Sequence, residues 1–482
     1  MQFNSYSYLV LLIPVTVLFW NLPVAWRKWY LLAVSAAFYA SWSVTYAAIP
    51  YALIGMSWLV ARRMIGASTE KDKSFWLTVG IAAVLAVLAF FKYRDFALVN
   101  MSMMLAALGA APIHTTLQLA LPLGISFYAF EAVSYLIDTR QGRVRDARFQ
   151  DLALFVTFWP HMIAGPIVRV REFFPQIEKP KPFSTLLLVE GCDRLLWGLV
   201  QKNLIANNLA GWVSEGFLPQ AAAANSTLDN WALTVGFGLQ IYFDFASYSN
   251  MAIGASRLVG IVLPENFRFP YHAASPPDFW GRWHMTLSRW IRDYLFFPVN
   301  AKYKGAQGPL YLSLLGIMAL VGLWHGAGWG FMLWGLFHGV YLALYRMWEH
   351  VTETRYPQWA KSAAWGWFWR VFILAGAMLA WVPFRSSSLG QTVTLLKSML
   401  FSFRFHVSYS LNFYLTVALV SLFCMLEPWL CKQLRRRLVP QGAAAPWPVW
   451  NIALARPMIY AGALLLFLIF DDKDVQFIYF QF

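Results

Sequence analysis

The densest chemical feature of this 482-residue chain is a histidine set among four glycines and two tryptophans, in Gly322-Leu-Trp-His-Gly-Ala-Gly-Trp-Gly330. Imidazole titrates near neutral pH, so His325 is able to take up and return a proton; in a dry pocket it would deprotonate an attacking hydroxyl. The glycines let backbones approach one another or a ligand closely. A structural histidine donating to a carbonyl would sit in the same surroundings, and the residues alone leave both readings open. Forty-one residues earlier, Phe279-Trp-Gly-Arg-Trp-His-Met-Thr-Leu-Ser288 supplies His284, followed by Arg289, Arg292 and Asp293. Arg282, Arg289 and Arg292 suit lipid headgroups or the phosphates of an anionic cofactor equally well, because a guanidinium fork matches either.

Other groups are weaker candidates. His338, thirteen residues after His325, and His161 read as packing residues. Glu131 reads as a hydrogen-bond acceptor between helices. Asp244, within Tyr242-Phe-Asp-Phe245, stays open between a proton relay, a partner for Arg or His, and a packing acceptor. Histidines at 284, 325 and 338 invite a metal, but no His-x-x-His or carboxylate spacing supports one, so no metal site is expected. Cys192, Cys424 and Cys431 are too few and too scattered for a disulfide framework. No phosphate-binding Gly-x-x-x-x-Gly-Lys-Ser/Thr loop and no Gly-x-Ser-x-Gly elbow occurs.

The elements that must position these residues are membrane helices. The chain is 59% hydrophobic and only 13% charged, with mean hydropathy +0.51; a soluble domain carries roughly 25% charged residues. Apolar windows of helical length recur about a dozen times, which predicts an all-α polytopic membrane protein of transmembrane and re-entrant helices. The net charge of +15 lies in short clusters such as Arg62/Arg63, Arg140 to Arg148 and Arg435/Arg436/Arg437. These read as cytoplasmic loops next to anionic lipid rather than as a nucleic-acid surface. An uncharged start before the first span, which reads as retained rather than as a removable signal, and Asp471/Asp472 after the last place both termini outside, with an even number of crossings. Two segments fit no simple span. Trp159-Pro-His-Met-Ile-Ala-Gly-Pro166 breaks a helix inside an apolar run, and residues 264–308 are too polar to cross yet rich in aromatics, so they are expected to be interfacial or re-entrant. Residues 186–209 read as an amphipathic interfacial helix, and residues 442–446 as a linker. Residues 1–482 read as one membrane-embedded domain.

In motif content the chain resembles the membrane-bound O-acyltransferases, in particular the bacterial branch typified by the alginate O-acetylation protein. The resemblance rests on Leu121-Pro-Leu-Gly-Ile-Ser-Phe127, Ala164-Gly-Pro166, Tyr242-Phe-Asp-Phe-Ala-Ser-Tyr-Ser-Asn-Met-Ala-Ile-Gly254 and Leu263-Pro-Glu-Asn-Phe267. It also rests on Asp278 to Ser288 with Arg292-Asp-Tyr294, on Gly322-Leu-Trp-His-Gly326 and on the terminal Phe477-Ile-Tyr-Phe-Gln-Phe482. These blocks run in the family's order from about residue 120 to the end. One departure is Gly281, where the family commonly has a polar or basic side chain.

The resemblance implies helices around a central funnel and assigns catalysis to His325 and His284. His325 would be the general base, and His284, paired with Asp293, would orient or polarise the thioester. It places Trp324, Asp293, Arg292, Trp283 and Asp244 beside the site as substrate-binding candidates. It further implies acetyl-coenzyme A as a cytoplasmic acyl donor, with no resident cofactor. The product would be an O-acetylated, alginate-like exopolysaccharide, completed with a periplasmic SGNH-like acetyltransferase partner from the bacterial inner membrane. Alternatives are another envelope polymer, such as cellulose or peptidoglycan, D-alanyl transfer to teichoic acid, a proton-coupled transporter, or a scaffold of a polymer-export complex.

Overall fold

A computed structural model describes residues 3–113, 119–303, 307–355, 362–438, 455–469 and 477–478. Every regular element among them is a helix, so the chain is an all-α polytopic membrane protein. In chain order the helices are α1 (Tyr6–Asn21), α2 (Val24–Ala40), α3 (Val44–Ile65), α4 (Glu70–Lys92), α5 (Arg94–Ala107), α6 (Ile125–Arg140), α7 (Phe149–Thr157), α8 (Val170–Glu178) and α9 (Thr185–Val200). They continue with α10 (Asn207–Gly216), α11 (Pro219–Ala224), α12 (Thr227–Leu258), α13 (Pro276–Trp280), α14 (Met285–Ile291), α15 (Phe297–Asn300) and α16 (Gln307–His325). The last are α17 (Trp329–Arg355), α18 (Ala363–Arg385), α19 (Leu389–Phe401), α20 (Leu411–Leu438) and α21 (Ala455–Ile469). Single π-helical turns follow α9 (Gln201–Ala206) and α14 (Arg292–Phe296).

Among the described residues α3, α4, α16, α18 and α20 are long and apolar enough to cross a membrane, with α1 and α21 as shorter apolar helices. At 1.5 Å per residue their apolar stretches of 18 to 23 residues reach the roughly 30 Å of a hydrocarbon core. Several apolar windows do not become spans. The run at 100–137 divides between α5 and α6, and the run at 152–168 leaves helix after Thr157. Asp471, Asp472, the linker at 442–446 and residues 304–306 lie outside the described residues. So do the side chains of Arg435, Arg436 and Arg437.

The chain forms two compact units, residues 1–195 with 251–264, and residues 196–250 with 265–482. In the first, α3, α4 and α6 pack together and α7 lies against α2 and α3. The broken Pro160 segment is buried there. Trp159 N–H donates to Ser35 Oγ at 3.2 Å, and His161 Nδ1 lies 3.0 Å from Glu131 Oε1. Irregular backbone within an apolar run is thus enclosed by protein, and the two residues expected to be packing groups form a buried pair. Gly124, at φ +74°, makes this possible, because a Cβ would fall 2.5 Å from the Met162 carbonyl oxygen.

Residues 186–209 differ from the expected interfacial helix. Glu190, Arg194, Gln201, Lys202, Asn203 and Asn207 are buried in the protein, and two of them are ion-paired: Glu190 with Arg257 at 2.7 Å in the first unit, and Lys202 with Asp244 at 2.6 Å in the second. In the second unit α16 and α17 form a tight hairpin, α18 packs on α17, and α19 on α18.

Candidate active site

The α16–α17 hairpin is built by glycine. A Cβ on Gly322 would sit 2.1 Å from the Phe331 carbonyl oxygen, and one on Gly335 would sit 2.1 Å from that of Met318. Backbone therefore meets backbone, as small residues permit between membrane helices. His325 is the last residue of α16, held where the hairpin turns. Its ring packs edge-on against Trp324 and Trp334, with centroids 4.9 and 5.0 Å away, and against Phe384 at 5.7 Å.

His284 approaches from the segment before α14. It occupies the left-handed region at φ 41°, a costly conformation for a non-glycine residue that persists only where surroundings impose it. Its ring centroid lies 6.5 Å from that of His325. Both histidines are buried, at 0% and 4% exposure, and Trp324 borders each.

One residue fixes the chemistry of His284. Its Nδ1 lies 2.9 Å from Asn266 Oδ1. That oxygen also accepts from Thr286 Oγ1 at 2.9 Å, while Asn266 Nδ2 donates to Ser249 Oγ at 3.0 Å. An amide oxygen only accepts, so Nδ1 carries the proton and Nε2 bears the lone pair. Nε2 is buried with no hydrogen-bond partner among the described residues. Burial pulls the imidazole down to about 3 from its ordinary 6.5, which keeps it neutral. The orienting partner is therefore Asn266, not Asp293 as the sequence reading had it. Asp293 instead binds Arg292 at 2.8 Å, on a π-helical turn where Arg292 is exposed and lies over Phe297. A single side-chain amide accepts through its oxygen and donates through its nitrogen, and the asparagine able to do both was present in Pro-Glu-Asn-Phe267.

The remaining candidates divide. Trp324 touches both histidines. Trp283 is a buried wall stacked on Phe279 at 5.8 Å and packed against Trp381 at 5.0 Å. Asp244 has its oxygens engaged, one by Lys202 and the other by the backbone N–H of Ile478 at 2.7 Å. The adjoining Phe477 packs on Phe245, whose ring in turn lies 4.7 Å from that of His284. Residues 479–482 of the terminal motif lie outside the described residues. His338, set aside in the sequence as a packing residue, is 3% exposed and 4.9 Å from Trp334. No group of three or more metal-ligating side chains occurs among the described residues.

Residues 7–382 match the sequence model of the membrane-bound O-acyltransferase family, MBOAT. The chain is 35% identical to "Probable alginate O-acetylase AlgI" of Azotobacter vinelandii over 393 residues, covering 81% of this chain and 76% of that protein. It is 33% identical to "Peptidoglycan O-acetyltransferase" of Helicobacter pylori over 431 residues, covering 82% and 79%. It is 32% identical to "Teichoic acid D-alanyltransferase" of Bacillus subtilis over 263 residues, covering 53% and 64%. With the helical fold, these matches make the protein a multi-pass membrane acyltransferase. The chain belongs to the membrane-bound O-acyltransferase family.

Proposed function

We propose that this protein takes acetyl groups from cytoplasmic acetyl-coenzyme A and passes them across the bacterial inner membrane to O-acetylate a secreted, alginate-like polysaccharide. The observation that carries this reading is the buried pair of His284, ahead of α14, and His325, on the glycine-built hairpin. His325 takes the proton of the attacking hydroxyl as its oxygen bonds to the thioester carbonyl carbon. The carbon–sulfur bond then breaks, and the proton passes to the departing sulfur as coenzyme A. The Nε2 lone pair of His284, aimed by Asn266, orients the hydroxyl or its relay. A dry site strengthens each of these interactions.

The donor's phosphates are too costly to bury, so the coenzyme stays on the cytoplasmic side and is substrate rather than resident cofactor. The final acceptor is reached with a periplasmic SGNH-like acetyltransferase, since this chain lacks a Gly-x-Ser-x-Gly elbow. Basic clusters between spans support cytoplasmic loops and periplasmic termini. Acetyl rather than D-alanyl transfer is supported by coverage, four fifths of the chain for the O-acetylating relatives against half for the D-alanyltransferase. The near-equal identity to the peptidoglycan O-acetyltransferase favours one second reading, a peptidoglycan acceptor.

The test is release of coenzyme A from acetyl-coenzyme A by detergent-purified protein, wild type against His325→Ala, together with the ester content of polymer from cells carrying each. Loss of both with His325→Ala is the expected result; equal ester content in the two strains refutes the mechanism. Ester appearing on peptidoglycan instead selects the second reading.

A further inference from the structure

We propose that Trp280, Trp334 and His338 form an oxygen-binding subsite beside His325, which takes a carbonyl or hydroxyl oxygen of a substrate. The three rings touch pairwise, with centroids 5.8, 5.2 and 4.9 Å apart. Each is at least nine-tenths buried. Trp280 Nε1, Trp334 Nε1 and His338 Nε2 are all shielded and have no hydrogen-bond partner among the described residues.

Indole nitrogens in this protein divide: those of Trp280, Trp334 and Trp381 are buried without a hydrogen-bond partner among the described residues, and others are matched. Trp20, Trp58 and Trp231 donate to the carbonyls of Leu258, Ala147 and Met399 at 2.7, 2.8 and 3.1 Å. A buried donor without an acceptor costs free energy, and a phenyl group would fill similar space without that cost. Phe279 lies in the same cluster, its ring 5.9 Å from that of His338 and nearly parallel. Three buried nitrogens without partners, on three rings that touch one another, are therefore suited to a group that arrives from outside. Indole only donates and imidazole either donates or accepts, so the complement is a carbonyl or hydroxyl oxygen. Trp334 connects this triangle to the reaction centre, its ring 5.0 Å from that of His325. Donors held on packed rings next to the reaction centre are preorganised for an oxygen of the reacting groups.

The identity of the two substrates rests on the acyl-transfer reading, and the experiment separates the two ideas. Full-length protein in detergent is prepared as wild type, Trp280→Phe, Trp334→Phe and His338→Phe, with Trp58→Phe as control. Affinity is measured for acetyl-coenzyme A and for an unacetylated alginate oligosaccharide, and the melting temperature is measured without ligand.

Each subsite variant is expected to lose about five- to tenfold in affinity for one probe, the worth of one hydrogen bond. Its ligand-free melting temperature should be unchanged or higher. Loss toward acetyl-coenzyme A assigns the thioester carbonyl as occupant; loss toward the oligosaccharide assigns a sugar hydroxyl. Trp58→Phe, which leaves a carbonyl without its donor, should melt lower and bind normally. If one variant fails to fold, the other two decide.

Unchanged affinities in the folded variants, or a wild type that binds neither probe, overturn the subsite. His325-dependent release of coenzyme A alongside unchanged affinities leaves the acyl-transfer reading standing alone. Altered affinities without any release leave the subsite and remove that reading.

Discussion

Replacing Asp244 by Asn tests whether this carboxylate supports the fold or contacts substrate. Its side chain and that of Lys202 are only 3% and 5% exposed, and they pair with each other at 2.6 Å. Asn keeps the shape but strands the Lys202 ammonium in the interior, which costs about 3–5 kcal/mol for a buried pair broken from one side. In a protein of this size that corresponds to a fall in melting temperature of roughly 5 °C. Lys202→Met strands the carboxylate and should cost a similar amount. The double variant Lys202→Met/Asp244→Leu removes both charges and should recover most of the loss. It retains a deficit of about 1 kcal/mol because the Ile478 N–H loses its acceptor. Thermal unfolding of the four proteins in detergent gives the stability of each, and coenzyme A release gives the activity of each. A structural Asp244 predicts that activity returns with stability in the double variant. Single variants as stable as wild type, or a double variant as unstable as the two losses added, refute the argument. A stable but inactive double variant restores Asp244 to the substrate.

Two further outcomes follow from geometry and charge. Gly322→Ala and Gly335→Ala each drive a methyl into a carbonyl 2.1 Å away and should abolish activity and lower the folded yield, while Gly316→Ala, on the same α16 with nothing within 4 Å, should be neutral; both are read by size-exclusion profile and turnover. His284 resists the proton that an unfolded chain would take near pH 6.5, so its contribution to stability is intact above about pH 6.5 and declines as pH falls toward 3. His284→Gln should flatten that decline in a melting-temperature series across this range; identical slopes in variant and wild type would show that the imidazole is not held neutral by burial.

Membrane embedding was legible from composition, because hydrocarbon tolerates few charges and demands long apolar helices. His325 and His284 stood out in the sequence as candidates because polar, glycine-rich interruptions of such runs are costly unless they are used. Adjacency was not legible. Positions 266, 284 and 325 meet only after the chain folds, and Asn266 looks like an ordinary loop residue until its oxygen is seen holding the His284 N–H. Asp293, nine residues after His284, pairs instead with Arg292, its neighbour on a π-helical turn. The same holds for residues 186–209, whose mixed polarity fits a water-facing helix as well as it fits buried ion pairs; the partners Arg257 and Asp244 decide, and both are distant in sequence. Residue types set the solvent, the helices and the chemistry on offer, because those depend on local composition. Which nitrogen carries a proton, which carboxylate is already taken and which indoles lack an acceptor depend on contacts between remote segments, and those belong to the tertiary structure.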